Sequence, residues 1–366
     1  MACAQRPSSY GEILAELSSY LTKCQVTVRR ENVFKDLVEI LLRPEAEKSR
    51  FEVKFTNDGW TEPATDGGGP RNQLFTLFYQ ECLTPERCMF SGRGQELFPV
   101  DNPAALTGRW FFCLGRAIVL SLVQQGAGFP YLARSCYKKI LYKEGVPEHE
   151  NMAKLLQKLT KAQTQARTEE ELLHYLGDSE IKLLLKEMQV TECETTKTET
   201  MYHLKNFITL QSCTKALAQL TEGLQSLGFL DKVKQYGSDL ERFFVHTEGF
   251  YVDSVFMQNQ LLDPLMDLQT TSEKQNEVKE WAALCLTSMT DEQAVNLYEF
   301  ITGMRSLPPG ECVIMIAFNA QKTSDKLPRA VTCASLLLLP LGNESVKEFI
   351  RSFKTALENR SEFGRI

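Results

Sequence analysis

Apolar positions along this chain recur at helical spacing over most of its length and alternate in only a few short stretches. Ile13, Leu14, Leu17, Tyr20 and Leu21 predict an amphipathic helix within residues 8–23. Val26 to Arg30 predicts a short strand, a helix follows over 31–42, and Phe51-Glu52-Val53-Lys54-Phe55 alternates as a half-buried strand does. A glycine-rich turn with Asp66, Gly67, Gly68 and Gly69 then leads to Pro70, which suits the first turn of a helix running to Cys82. No Lys-Ser or Lys-Thr follows those glycines, so the pattern predicts a tight turn with close backbone packing rather than a phosphate loop. The most apolar run, Trp110 to Val123, predicts a core helix. Gly115 and Arg116 inside it call for a close helix contact and a paired charge. Leu132 to Tyr142 makes another short helix.

Farther on the pattern changes. Residues 152–200 are rich in Lys, Glu, Gln and Thr and carry two leucine patterns, a small helical subdomain ending in a polar loop. Spacing over 203–229 predicts a long helix stopped by Gly228. Residues 231–276 read as loop-rich, and 277–287, with Trp281, close the same unit. Thr290 with Gln293 forms a capping box for a helix ending at Gly303. Beyond it come a strand over 312–318, a polar loop over 321–326, a strand through Cys333 into Leu336–Leu339, and a last helix. That helix starts at Ser345 and Glu348 and has Val346, Phe349, Ile350, Phe353 and Leu357 as its stripe. The order predicts an α+β protein, mainly helical, with a small α/β unit over 290–366.

Composition narrows the function classes. With 43% hydrophobic and 24% charged residues, 366 residues suffice for two packed domains. A net charge of -6 without a Lys/Arg cluster argues against nucleic acid as the main ligand. The N-terminus lacks the apolar core of a signal peptide, and the Trp110–Val123 run is too short to cross a bilayer and contains Arg116, so no membrane partner is expected. The 11 cysteines are odd in number and contain no CxxC pair, which predicts neither a disulfide framework nor a zinc site. Reduced thiols fit the cytoplasm or nucleus, and no metal or other cofactor is expected.

The candidate chemistry lies in Leu327-Pro328-Arg329-Ala330-Val331-Thr332-Cys333. A polar loop enters this stretch and Leu336–Leu339 leave it for the core, so Cys333 can be held from behind while its sulfur faces solvent. The Leu-Pro-x-Ala-x-Thr-Cys pattern, the following Leu-x-Leu-Pro, the amphipathic helix and Phe363-Gly364 resemble the C-terminal part of HECT-type ubiquitin ligases. Upstream, Asp66, Gly67, Gly68, Arg71, Leu74, Phe75 and Phe78 resemble the start of the larger HECT lobe, and Phe112-Cys113-Leu114-Gly115-Arg116 a second family helix. The resemblance covers about residues 24–366.

It implies a bilobal architecture: an N-terminal helical extension over 1–23, a large N-lobe over 24–289, and a C-lobe over 290–366, joined by a hinge near Met289 and Thr290. Residues 150–200 fall where the family docks the ubiquitin-conjugating enzyme, although the usual strands are not visible there. The implied activity is acceptance of ubiquitin as a thioester on Cys333 and its transfer to a lysine of a protein substrate. Thr332 would position the thiol or the incoming carbonyl, and Phe363 would position the lobes. Asp325 and Arg329 are charges near the thiol. The chain departs from the family at Val331, where a histidine is common, and at Ala334, where an aromatic is common. Its four histidines all precede residue 290. Those departures keep a second reading open, a pseudo-ligase that binds ubiquitin or a conjugating enzyme without turnover.

Overall fold

In the computed structural model, which describes residues 9–57, 60–61, 68–142 and 213–359, helix α1 (Tyr10–Ser19) is capped by the Ser9 hydroxyl, which accepts from the Glu12 amide. It buries Ile13, Leu14 and Leu17. Strand β1 (Thr22–Arg29), helix α2 (Val33–Leu41) and strand β2 (Ser49–Asn57) make a β-α-β unit, the two strands parallel and in register from Thr22↔Ser49 to Arg29↔Thr56. Val26 and Val28 of β1 and Phe51, Val53 and Phe55 of β2 are buried at every second position, as expected of strands, and Phe51 stacks on Phe75 of the following helix at 6.2 Å. Strand β3 (Trp60–Thr61) adds antiparallel to β2. Helix α3 (Gly69–Leu83), the hairpin of β4 (Phe90–Arg93) and β5 (Glu96–Pro99), and α4 (Pro103–Thr107) follow.

Helix α5 (Trp110–Val123) is buried from Phe111 to Val123 and forms the centre of the first core. After α6 (Arg134–Tyr142), helix α7 (Thr214–Leu224) packs against α5. The two backbones touch at glycines: a Cβ on Gly115 would stand 2.4 Å from the Leu220 carbonyl oxygen, and one on Gly223 2.0 Å from that of Phe112. Beside the crossing, Arg116 donates from Nη1 to the carbonyls of Leu41 (2.7 Å) and Arg43 (3.1 Å) and from Nε to Ser226 Oγ (3.2 Å). It thereby caps the end of α2, where carbonyls lack helical partners. The close contact and the satisfied charge expected of Gly115 and Arg116 are both present.

The expected 203–229 helix is described only from its Thr214 end, and it stops at Leu224 rather than Gly228. Leu227 has a φ of 59°, and its amide turns aside to donate to Glu47 Oε1 at 2.6 Å. The subdomain expected over 150–200 lies outside the described residues.

A larger correction concerns residues 231–276. Where the sequence suggested loops, helix α8 (Ser254–Asp267) forms with Pro264 inside it, capped by Asp253. Helix α9 (Glu273–Thr287) follows, then α10 (Asp291–Thr302) with the expected Thr290–Gln293 capping box. Met257, Leu261 and Leu265 on α8 and Val278, Ala282 and Leu286 on α9 are spaced by four and wholly buried, so each helix shows one continuous face. Both faces join the C-terminal unit, and Trp281 meets Phe349 with ring centroids 5.9 Å apart. The second core therefore gathers Val252 to Leu357 together with Ala127, while the first draws on residues from Ile13 to Val245. At this segment Asp291 is tied to the start of α8, accepting from the Ser254 amide (3.0 Å) and hydroxyl (2.7 Å).

The C-terminal unit closes with a three-stranded sheet in the order β6 (Met315–Phe318), β8 (Leu336–Leu339), β7 (Arg329–Val331), and with helix α11 (Val346–Glu358). β8 runs parallel to β6 and antiparallel to β7. The architecture is α+β, mainly helical with small sheets. Among the described residues no helix is long and apolar enough to cross a membrane.

Candidate active site at the Cys333 turn

Cys333 is not within a strand. Val331 pairs with Leu336 across β7 and β8, so residues 332–335 form the hairpin connection, a single 3-10 turn over Thr332–Ala334. Ser335 ends the turn in the left-handed region at a φ of 47°, and its amide donates to the Thr332 carbonyl at 3.4 Å. Such a tight tip projects its residues away from the sheet. Cys333 is exposed, whereas Leu337 and Leu339 of β8 are buried behind it. The thiol is thus solvent-facing and anchored through its own chain to the core, as the loop-to-core boundary implied. Cys312 Sγ lies 3.9 Å from Ser335 Oγ, on the inner side of the turn.

The loop that enters the turn is pinned by its own polar groups. Arg329 Nε and Asp325 Oδ2 are 3.0 Å apart, and Asn319 Nδ2 donates to the same carboxylate at 3.2 Å. Asn343 Nδ2 donates to the Lys326 carbonyl at 2.8 Å, and the Ser352 hydroxyl donates to Asn343 Oδ1 at 3.0 Å. Lys326 pairs with Glu348 at 2.6 Å; this hydrogen bond, with a second from the Glu344 amide, holds the Glu348 carboxyl below the usual carboxylate range. Asp325 and Arg329 therefore serve each other and the loop. His246, the last histidine in the sequence, lies against the Tyr251 ring at 4.8 Å. Among the described residues no cluster of His, Cys, Asp and Glu could hold a metal ion.

Across from the turn stand α3 and α10. A Cβ on Gly69 would fall 1.9 Å from Thr332 Oγ1, 2.7 Å from Thr332 Cβ and 3.2 Å from the Cys333 amide nitrogen. The glycine run before α3 is thus a site of close backbone packing, as expected, and its partner is the Cys333 turn. The carboxyl end of α10 lies along α3 through polar contacts. Thr76 donates to the Gly303 carbonyl at 2.7 Å, Asn72 Nδ2 to the Thr302 carbonyl at 3.5 Å, and Gln80 Nε2 to Glu299 Oε1 at 3.4 Å. Glu299 is further paired with Arg305 at 2.6 Å. Sequence reasoning missed these partners. Their one local signal was the spacing of Asn72, Thr76 and Gln80 by four in an otherwise Phe-rich helix. Phe363 lies outside the described residues.

A family model for the HECT domain (ubiquitin-transferase) matches residues 76–366, which is most of the chain and contains the whole turn. The chain belongs to the HECT-domain family. Residues 24–75, which the sequence resemblance also included, precede the matched span. Among curated relatives, E3 ubiquitin-protein ligase RSP5 of Saccharomyces cerevisiae is 29% identical over 133 residues, covering 34% of this chain and 16% of the relative. A probable E3 ubiquitin-protein ligase hulA of Aspergillus niger is 30% identical over 149 residues, covering 36% of this chain and 17% of the relative. This HECT chain therefore spans about a sixth of the length of the curated relatives it matches.

Proposed function

We propose that this chain acts as the catalytic domain of a ubiquitin-protein ligase, with Cys333 as its nucleophile. One observation carries the reading: within the HECT-matched span, Cys333 is an exposed thiol at the tip of a hairpin turn anchored by buried β8. The Cys333 thiolate attacks the thioester carbonyl of ubiquitin carried by a conjugating enzyme. The new carbon–sulfur bond forms as the old one breaks, and the departing thiolate takes up a proton. A lysine amine of the protein substrate then attacks the Cys333 thioester, forming an amide, losing a proton and releasing the thiolate. Thiol–thioester exchange is close to neutral in energy, so the site needs access and placement more than a strong base.

Residues 150–200 are the proposed docking region for the conjugating enzyme, and movement of the two cores relative to each other brings Cys333 from that enzyme to the substrate. Phe363 is proposed to help place the C-terminal unit for transfer to lysine. Such a domain works in the cytoplasm or nucleus, where its thiols remain reduced. The alternative, a pseudo-ligase that binds without turnover, draws on Val331 and Ala334 beside the thiol.

The test is a non-reducing gel of the chain with activating enzyme, a panel of conjugating enzymes and ubiquitin. One ubiquitin-sized adduct is expected, removed by a reducing agent and missing in Cys333→Ala. In the same assay Phe363→Ala should load nearly as well as the parent but discharge to free lysine more slowly. An adduct that persists in Cys333→Ala places the nucleophile on another cysteine. No adduct with any conjugating enzyme favours the pseudo-ligase.

A further inference from the structure

The Thr332 side chain, next to the Cys333 thiol in the chain, meets the amino end of α3. The closest approach in this contact is between Thr332 and the position a side chain on Gly69 would occupy, 1.9 Å from Oγ1 and 2.7 Å from Cβ. No rotation of Thr332 removes its Cβ, so the contact needs a glycine at residue 69. The glycine is not there for its backbone: Gly68 has a φ of 117°, whereas Gly69 is within α3 and absent from the positive-φ residues. A helical glycine costs stability relative to alanine, and here the space it leaves is filled by Thr332. Below this contact, Asn72, Thr76 and Gln80 present a row of donors to the last turn of α10, ending at Gly303. A Cβ on Gly303 would itself stand 3.0 Å from the Gly69 carbonyl oxygen.

We propose that Thr332 is a positioning residue that acts through Gly69: its side chain seats the Cys333 turn on the amino end of α3, and the Asn72–Thr76–Gln80 row holds α10 at that seat. The interface is glycine and hydrogen bonds rather than a greasy core. Polar interfaces of this kind between packed units release and re-form more readily than apolar ones. The seat thus fixes where Cys333 points in one state of the molecule without locking it there. Only its consequence for catalysis rests on the Cys333 reading above; the seating itself is a property of the free chain.

Peptide-resolved hydrogen–deuterium exchange on the full chain tests it without ubiquitin. Two signs compete at Gly69→Ala. Alanine is the better helix former, so with no contact across the interface α3 would exchange more slowly. With Thr332 in the way, amides of residues 69–80 and 297–305 should exchange at least fivefold faster. Adding Thr332→Gly removes both obstructing atoms, and the double variant should return to within twofold of the parent. Unchanged or slower exchange in Gly69→Ala overturns the proposal, as does a double variant that is not restored. Should α5 amides also exchange in Gly69→Ala, the variant has unfolded and Thr76→Val decides. That change deletes the hydroxyl on the Gly303 carbonyl and should speed exchange over 297–305 at least twofold; no change overturns the proposal. A parent chain that forms no Cys333 adduct would sink the ligase reading while leaving the exchange result standing.

Discussion

Arg116 shows how a single residue in this fold is made tolerable by what surrounds it. A guanidinium is costly to bury unless its donors are used. Here Nη1 and Nε reach two carbonyls and a hydroxyl, and the guanidinium carbon lies 4.5 Å over the Phe112 ring. Glu47 is 3.9 Å away, too far for a hydrogen bond but near enough to favour the charge. Burial still pulls the Arg116 pKa below the ordinary arginine value. Replacing it by Leu would take the donor from the Leu41 carbonyl at the end of α2 and strand the Ser226 hydroxyl, while the Arg43 carbonyl keeps the Ala46 amide at 3.2 Å. We expect Arg116→Leu to lower the unfolding free energy by about 2–4 kcal/mol, from the cost of stranding buried polar groups. Denaturant unfolding monitored by tryptophan fluorescence would measure it, and a loss under about 1 kcal/mol would show the stranded groups find water instead.

At the level of elements, the same substitution should carry opposite signs in two helices. Gly223 of α7 lies where a Cβ would be 2.0 Å from the Phe112 carbonyl oxygen, and backbone cannot rotate away as a side chain can. Gly223→Ala should force α5 and α7 apart and destabilise by about 3 kcal/mol, at the upper end of overpacking costs. Gly11 sits on the exposed face of α1, with only Ser9 Oγ 3.6 Å from its hypothetical Cβ. Gly11→Ala should stabilise by about 0.5–1 kcal/mol through helix propensity alone. Thermal melts of the two variants compare them directly; a Gly223→Ala protein as stable as the parent would mean the helix crossing is not held at its observed distance. Element boundaries elsewhere were legible wherever caps are local. Trp110–Val123 and the Thr290 box needed nothing beyond their own residues, whereas Leu227 leaves helical geometry as its amide turns to Glu47, 180 residues away in sequence.

For the whole molecule, the two cores decide what can fold together. A fragment of residues 290–366 would discard α8 and α9 and with them Met257, Leu261, Leu265, Val278, Ala282 and Leu286. Phe349 and Phe353 would lose much of their covering, since α11 packs on α9 as well as α10. Burying each such side chain contributes about 1.5–3 kcal/mol, which a small unit cannot forgo. We expect residues 250–366 to give a soluble protein with one cooperative melting transition, and residues 290–366 to melt without cooperativity or to aggregate. Circular dichroism on both fragments is the measurement; a cooperative 290–366 fragment would show that α8 and α9 are not needed for its folding.

The candidate site is largely written in local sequence. Arg329 to Leu339 carries strand, turn and strand in eleven consecutive residues, so the placement of Cys333 at the edge of a buried strand follows from near neighbours alone. So do the helix caps and the inward faces, because period and capping act over a few residues. What the turn rests on was decided only in three dimensions. Gly69 and Thr332 are far apart along the chain, and nothing in either neighbourhood marks the other as its partner. The same holds for α8, whose Pro264 reads locally as a break: the helix is retained because Met257, Leu261 and Leu265 are buried against elements from later in the chain. Local patterns specify which face of an element is apolar; the apolar surface that meets it is supplied by the fold.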